Sequence, residues 1–181
     1  SGPQVQAFEA ALGAYVGGRP VRTVTSATGA MEVALALLGV GAGDEVVTPA
    51  QSFFASANVI ERAGARVVFV DVHLATRNID LEAAAAAVGA RTKALLPVHY
   101  NAPLDPARLA AFRSRHGVRI LEDAALAIGS RAGGRPVGAT GDLVSFSFHP
   151  NKNMTTIEGG ALVVNDAAEA YRGVIPGDCW K

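Results

Sequence analysis

The chain has 181 residues, half of them hydrophobic and 18% charged. This composition excludes an intrinsically disordered chain and provides enough apolar residues for the core of one medium-sized domain. Lysine plus arginine and aspartate plus glutamate both number 16, so the formal net charge is zero and no electrostatic argument favours a nucleic-acid partner.

The sequence carries no signal for membrane insertion or export. The alanine block at 83–87 is far shorter than a membrane span, and the N-terminus has no basic stretch followed by an apolar one. The single cysteine, Cys179, excludes an internal disulfide and favours a reducing compartment. We therefore expect a cytoplasmic protein with no membrane partner.

Short β-branched runs alternate with alanine-rich stretches along the chain. Their periodicity predicts, in chain order, strand 21–25, helix 28–38, strand 45–48, helix 53–62, strand 66–70, helix 81–88, strand 92–97, helix 106–116 and strands 119–123, 143–148 and 160–165.

Residues at the ends of the predicted helices support these boundaries. Asp80 and Asp105 are suited to cap helix N-termini, and Pro106 stands where a first helical residue needs no N–H. Glycines that follow the helices are expected to stop them: Gly39, Gly64, Gly89 and Gly117.

Alternating strands and helices predict a three-layer αβα fold of the α/β class with a mostly parallel sheet. We find no repeat, linker or internal domain boundary. Ligands of such sheets bind at the carboxyl ends of the strands, where Asp123 and residues 25–28 are placed.

Lys152 and Asp123 are the main candidates for chemistry. Lys152 follows Ser147 in a segment that precedes Glu158 and two glycines, and Asp123 ends an apolar strand. Pyridoxal phosphate chemistry needs a lysine amine for a Schiff base and a carboxylate that keeps the pyridine nitrogen protonated. Taken singly, Lys152 would be a solvated surface lysine in most proteins, and Asp123 is equally compatible with a helix N-cap.

Residues 26–31 follow a strand and open a helix, a position suited to binding a phosphate. An ordinary serine or threonine N-cap explains the same pattern. Neither a Rossmann glycine fingerprint nor a P-loop occurs in a suitable context.

The histidines and paired phenylalanines have ordinary structural explanations. His99 and His149 are compatible with satisfied core or loop histidines, and their spacing suggests no metal site. Phe53 and Phe54 are compatible with core residues.

Taken together, these motifs resemble, in order, the DegT/StrS (DegT/DnrJ/EryC) family of sugar aminotransferases, which are fold-type-I pyridoxal phosphate enzymes. The resemblance runs from about Gln6 to the end of the chain. Its matching stretches are 26–38, 41–49, 64–71, 97–99, 122–125 and 146–160.

The resemblance implies a role for each matched residue. Lys152 would carry the Schiff base, and Asp123 would pair with the pyridinium nitrogen. Thr28, Gly29 and Ser147 would hold the phosphate. Phe53 would stack on the cofactor ring, with Phe54 as a less suitable substitute, and His99 and His149 would line the substrate pocket.

Two features depart from the family. Leu126 stands where the family has a glutamine or histidine that bonds the cofactor's phenolic oxygen, and leucine cannot make that bond. Family members are also considerably longer. We therefore expect residues 1–181 to be the large cofactor-binding domain, with a small C-terminal domain lying outside the chain and Trp180 left without a core to complete.

The resemblance implies an aminotransferase that converts a nucleotide-linked keto sugar to an amino sugar, with glutamate as donor and a site completed by a homodimer. A dehydratase of the same family is an alternative, although those enzymes replace the lysine with histidine. A non-catalytic binding or regulatory protein and a plain nucleotide-binding α/β module are also compatible with the sequence.

Overall fold

A seven-stranded sheet with helices on both faces organises the protein. The computed structural model describes residues 2–100 and 102–168, so Cys179 and Trp180 lie outside the described residues. The helices are α1 (Pro3–Tyr15), α2 (Ala27–Leu37), α3 (Ala55–Arg62), α4 (Leu81–Ala87) and α5 (Pro106–His116). The strands are β1 (Val21–Val24), β2 (Glu45–Pro49), β3 (Arg66–Val70), β4 (Thr92–Leu95), β5 (Arg119–Asp123), β6 (Arg131–Ala132), β7 (Arg135–Pro136), β8 (Leu143–Ser147) and β9 (Gly160–Val163).

The strand order of the main sheet is β1-β9-β8-β5-β4-β2-β3. Neighbours from β8 to β3 pair in parallel, whereas β9 is antiparallel to both β1 and β8. The predicted α/β class with a mostly parallel sheet is therefore confirmed. Six strands run in one direction, so their carboxyl ends lie at the same end of the sheet, and β9 begins at that end.

Consecutive residues of each strand face different layers, which produces a core on either side of the sheet. Leu121 packs in the cluster that contains α2 and α3, whereas Ile120 packs in the cluster that contains α4 and α5. Val144 and Val163 belong to a third cluster, in which α1 covers the β1-β9-β8 end. The period of two along a strand explains this division into three layers.

The predicted helix ends are largely confirmed. Asp80 accepts hydrogen bonds from the amides of Glu82 and Ala83, and Asp105 accepts one from the Ala107 amide, with Pro106 at the first helical position. Gly39, Gly64 and Gly117 adopt the left-handed conformation after their helices. The prediction for Gly89 is wrong, because α4 ends at Ala87 and its C-cap, Val88, is extended.

The sequence patterns missed two features. Helix α1 begins with a proline at its first turn, but only Leu12 and Gly13 within it are buried, so its apolar periodicity is weak. The short hairpin of β6 and β7 turns on Gly133 and Gly134, and this glycine pair was the available signal. Within residues 2–100 and 102–168, no helix has both the length and the apolar character needed to cross a membrane.

The start of β9 requires glycine because the backbone before α2 lies directly against it. A Cβ atom on Gly160 would lie 2.5 Å from the Ala27 nitrogen and closer still to the Ser26 carbonyl carbon. Those atoms are backbone and cannot rotate away. The contact therefore ties the beginning of α2 to the antiparallel strand.

We expect Gly160→Ala to destabilise the protein by about 1–3 kcal/mol or more, since overpacking against backbone forces a main-chain shift. Urea unfolding monitored by circular dichroism measures the change. Gly89→Ala is the control, because a Cβ there meets no atom within 4 Å. Equal stability of the two variants would contradict the close approach.

Candidate active site

The carboxyl ends of the parallel strands surround a cavity of about 590 Å³. Loops after β1, β2, β4, β5 and β8 contribute to its walls, as the strand directions require. The residues lining it include Ser26, Thr28, Ser52, Phe53, Tyr100, Asp123, Leu126, Ser147, His149, Asn151, Lys152 and Glu158. Thr28, Phe53, Asp123, Ser147, His149 and Lys152, which were singled out in the sequence, are thus brought to one cavity.

Asp123 is the last residue of β5 and is only 4% exposed. Its Oδ1 accepts a hydrogen bond from the Ala125 amide at 3.0 Å, and its Oδ2 accepts one from the Ser56 hydroxyl at 3.1 Å. The Asp123 main chain is held as well, since its amide donates to the Pro97 carbonyl and its carbonyl accepts from the His99 amide. The carboxylate therefore has a defined orientation against the cavity.

Burial raises the pKa of the Asp123 carboxyl above its ordinary value. Hydrogen bonds from the Ala125 amide and the Ser56 hydroxyl, and the positive charge of Lys152, lower the pKa and oppose that effect without cancelling it. A cation placed in the cavity would favour the ionised carboxylate further. The site is thus prepared for a positively charged group next to Asp123.

The loop that carries Lys152 is closed at its base by Phe148, which lies fully buried at the end of β8. The Phe148 amide donates to the Gly159 carbonyl, and the Phe148 carbonyl accepts from the Thr156 amide and the Thr155 hydroxyl. A turn from the Lys152 amide to the His149 carbonyl then presents the half-buried lysine to the cavity. The loop is therefore a fixed platform for the amine.

A side-chain bridge joins the Lys152 loop to the segment after Asp123. The Asn153 amide group donates to the carbonyls of Leu126 and Ile128 at 3.3 and 3.4 Å. Ile157, in the same loop as Asn153, has a φ of 73°, a backbone conformation that is energetically costly for a β-branched residue. The relative placement of Lys152 and Asp123 thus depends on both segments.

The start of α2 forms the wall next to Ser147. Ser26 caps the helix, and its hydroxyl accepts the Gly29 amide at 3.1 Å. That amide is therefore already bonded in this structure, and Gly29 does not line the cavity, unlike Thr28. Both sequence interpretations of this turn apply in part: it is an N-cap, and it also borders a cavity with its helix N-terminus.

His99 lies behind the cavity wall rather than in its lining. Its Nδ1 accepts the Leu104 amide at 3.0 Å, so the ring is neutral and Nε2 carries the proton that bonds Glu122 Oε2 at 2.8 Å. Both side chains are buried. His99 thus matches the core histidine that the sequence left open, whereas His149 lines the cavity and bonds Asn151 through Nδ1.

Phe53 and Leu126 give the cavity two apolar sides. Phe53 is 63% exposed and contacts Phe54 with ring centroids 4.1 Å apart, so neither ring is a core residue. Leu126 is 43% exposed and offers its side chain, which makes no hydrogen bond, to the lining. Phe53 therefore presents a ring face that a planar ligand could contact.

Ser52, Tyr100 and Glu158 also line the cavity, although the sequence analysis assigned them no role. Each lies within three residues of a predicted strand end or of a matched motif, and this proximity was the only available signal. Within the part of the chain that the structure describes, no group of three or more histidine, cysteine or acidic residues could hold a metal ion.

Comparisons with known proteins agree with this geometry. The model of the DegT/DnrJ/EryC1/StrS aminotransferase family matches residues 1–174. The solved structure of 3-amino-5-hydroxybenzoic acid (AHBA) synthase is 40% identical, with a TM-score of 0.93 over 99% of this chain and 48% of that one. DesV of S. venezuelae, in complex with a ketimine intermediate, is 39% identical, with a TM-score of 0.92 over 96% and 47%.

A third solved structure, the PLP-form of Spr1654 from Streptococcus pneumoniae, is 33% identical, with a TM-score of 0.88 over 96% of this chain and 50% of that one. The present chain therefore spans about half the length of the solved structures that it matches.

Asp123→Asn should change how the stability of the ligand-free protein depends on pH. The raised pKa means that the folded state keeps a proton that the unfolded chain has lost, so stability falls as pH rises from the unfolded pKa through the folded pKa. Asparagine removes this loss. We expect the variant to be more stable than the native protein above that window and less dependent on pH within it.

Urea unfolding at a series of pH values measures this effect. Asp71→Asn serves as the control because Asp71 is exposed. If Asp123→Asn followed the pH dependence of the native protein, Asp123 would not be the buried carboxyl described above.

Proposed function

The chain belongs to the DegT/DnrJ/EryC1/StrS aminotransferase family, and on that premise we propose that the protein containing it is a pyridoxal-phosphate-dependent aminotransferase. The acceptor we propose is a nucleotide-linked keto sugar, which becomes an amino sugar, and the donor is glutamate. The observation that carries the proposal is the convergence of the Lys152 amine and the Asp123 carboxylate on one cavity.

The residues of the cavity fit pyridoxal phosphate. A positive partner stabilises the ionised form of a buried carboxylate, and a protonated pyridine nitrogen provides one. Thr28 and Ser147, with the N-terminus of α2, offer hydroxyl groups and a helix dipole suited to a phosphate. Phe53 offers an exposed ring face for stacking. The PLP-form of Spr1654 supports the same cofactor for this chain.

When bound, pyridoxal phosphate supplies an aldehyde that accepts amino groups and a ring that withdraws electrons. The chain's own residues supply the charge, the base and the apolar contacts. Asp123 would hold a negative charge for the ring nitrogen, and Lys152 Nζ would be the base that takes a proton from the amino-bearing carbon of the donor. Phe53 and Leu126 would offer apolar contacts to the bound group on two sides of the cavity.

We propose that these residues form the large cofactor-binding domain of a longer protein. The chain spans about half the length of the matched structures. Among the described residues that line the cavity none is an arginine, so the carboxylates of glutamate require cations from elsewhere. A second half of the protein and a second copy of it are the sources that we propose.

Lys152→Ala should abolish covalent trapping of pyridoxal phosphate by borohydride, because the trapped bond forms at the Lys152 amine. Mass spectrometry of the reduced protein measures the label. Lys93→Ala, at an exposed lysine of β4, is the control and should be labelled like the native protein. Equal labelling of Lys152→Ala would refute the proposal, and labelled protein that fails to turn over any amino donor would indicate a non-catalytic relative.

We expect the full-length protein to be a homodimer whose second copy covers the rim of the cavity. Phe53 in the cavity lining is exposed, and so are two apolar residues next in sequence to lining residues, Phe54 and Ile157. Phe54→Ser should raise the dimer dissociation constant by about tenfold or more, since exposed aromatic residues often dominate such interfaces. Serine is also a good N-cap at this position, so α3 should remain folded.

Light scattering and the loss of activity on dilution measure dimerisation. Phe69→Ser is the matched control, because Phe69 is similarly exposed but lies on the edge strand β3. A native protein that is monomeric and fully active would contradict the shared site.

A further inference from the structure

Two serines connect the cavity wall to the buried carboxylate. Ser56 lies in the first turn of α3 and is 1% exposed, and its hydroxyl donates to Asp123 Oδ2 at 3.1 Å. The hydroxyl of Ser52, which lines the cavity, lies 2.7 Å from the Ser56 hydroxyl. The three side chains therefore form an unbroken row of hydrogen bonds.

The direction of these bonds follows from a count of protons. Ser56 has one hydroxyl proton, and an ionised Asp123 can only accept, so that proton lies on the Asp123 side. The 2.7 Å contact must then be a bond donated by Ser52 to Ser56. If Asp123 were protonated through Oδ2, it would donate to Ser56 and reverse that bond, and the freed Ser56 proton could then be donated to Ser52. The row is thus complete in either protonation state, but its direction differs between them.

We propose that Ser56 is a positioning residue for Asp123 and that Ser52 supports it from the cavity wall, so that the pair holds the carboxylate ionised and oriented towards a cation in the cavity. This inference rests on the function proposed above. Hydroxyl groups in a row polarise one another, so the bond to Asp123 is stronger with Ser52 in place. Because Ser52 lines the cavity, a ligand there would be linked to the buried carboxylate by hydrogen bonds through Ser52 and Ser56.

No other described group around Asp123 replaces the hydrogen bond that the Ser56 hydroxyl donates to Asp123 Oδ2. The Ala125 amide bonds the other oxygen, Oδ1, and cannot substitute at Oδ2. Lys152 acts through its charge, and a protonated His99 would do the same. The His99 ring is neutral, however, because its Nδ1 accepts the Leu104 amide. The Ser56 hydroxyl is thus the hydrogen-bond donor to Asp123 Oδ2 among the described residues.

The test is a titration of the Asp123 side-chain carbon by ¹³C NMR in the cofactor-free protein. Ser56→Ala should raise the pKa of Asp123 by about one unit or more, a roughly tenfold change in proton affinity, since hydrogen bonds to charged groups are among the strongest. Ser56→Thr keeps the hydroxyl and should titrate like the native protein. Ser52→Ala should shift the pKa in the same direction by a smaller amount.

Ser145→Ala is the matched control. Ser145 is equally buried, but its hydroxyl donates to the Glu122 carbonyl and not to Asp123. A purely structural role of Ser56 would lower stability as Ser145→Ala does and leave the titration of Asp123 unchanged. An unchanged titration of Asp123 in Ser56→Ala would overturn the inference. If Ser56→Ala failed to fold, native titration of Ser52→Ala would overturn it instead.

A second readout separates this inference from the proposed function. The pH below which pyridoxal phosphate binds weakly should rise in Ser56→Ala by the same amount as the pKa of Asp123. If the native full-length protein did not bind pyridoxal phosphate at all, the proposed function would fail. The shift of the Asp123 titration in the cofactor-free protein would still decide whether the two serines act on the carboxylate.

Discussion

Burial of a carboxylate at the carboxyl end of β5 is the constraint on which the rest of the site depends. An uncompensated buried charge costs several kcal/mol, so the fold must surround Asp123 with donors and positive charge. The Ala125 amide, the Ser56 hydroxyl and the Lys152 charge supply them from three separate segments. The Ala125 amide is local to Asp123, but Ser56 and Lys152 reach the carboxylate only through the sheet, so the site is complete only when the whole layer structure has formed.

The reversed strand β9 connects the remaining walls. It begins at the edge where the parallel strands end, so it places the end of the Lys152 loop beside the start of α2. Gly160 allows the backbone of Ser26 to approach, and Phe148 closes the loop with main-chain and side-chain bonds. The amine and the helix N-terminus are therefore positioned by rigid backbone contacts, as the proposed covalent attachment of a cofactor would require.

Most helix ends and strands could be predicted from the sequence because they depend on short-range chemistry. Aspartates before alanine-rich runs cap helices through their own backbone neighbours, as Asp80 and Asp105 do. Short runs rich in apolar and β-branched residues become buried strands, as at β2 and β9. Helix α1 could not be predicted in this way, because its buried side arises only where it packs on β1, in the cluster that also contains residues of β8 and β9.

The sequence by itself determined the types of the elements from β1 to β5, of β8 and β9, the mostly parallel sheet and the motif residues Lys152 and Asp123, since each follows from local periodicity or from an ordered set of motifs. Only the tertiary structure decided that His99 lies behind the cavity wall and bonds Glu122, and that Ser56 bonds Asp123 across 67 residues of chain. Such contacts join side chains far apart in sequence, and no spacing along the chain encodes the geometry in which two strands and a helix bring them together.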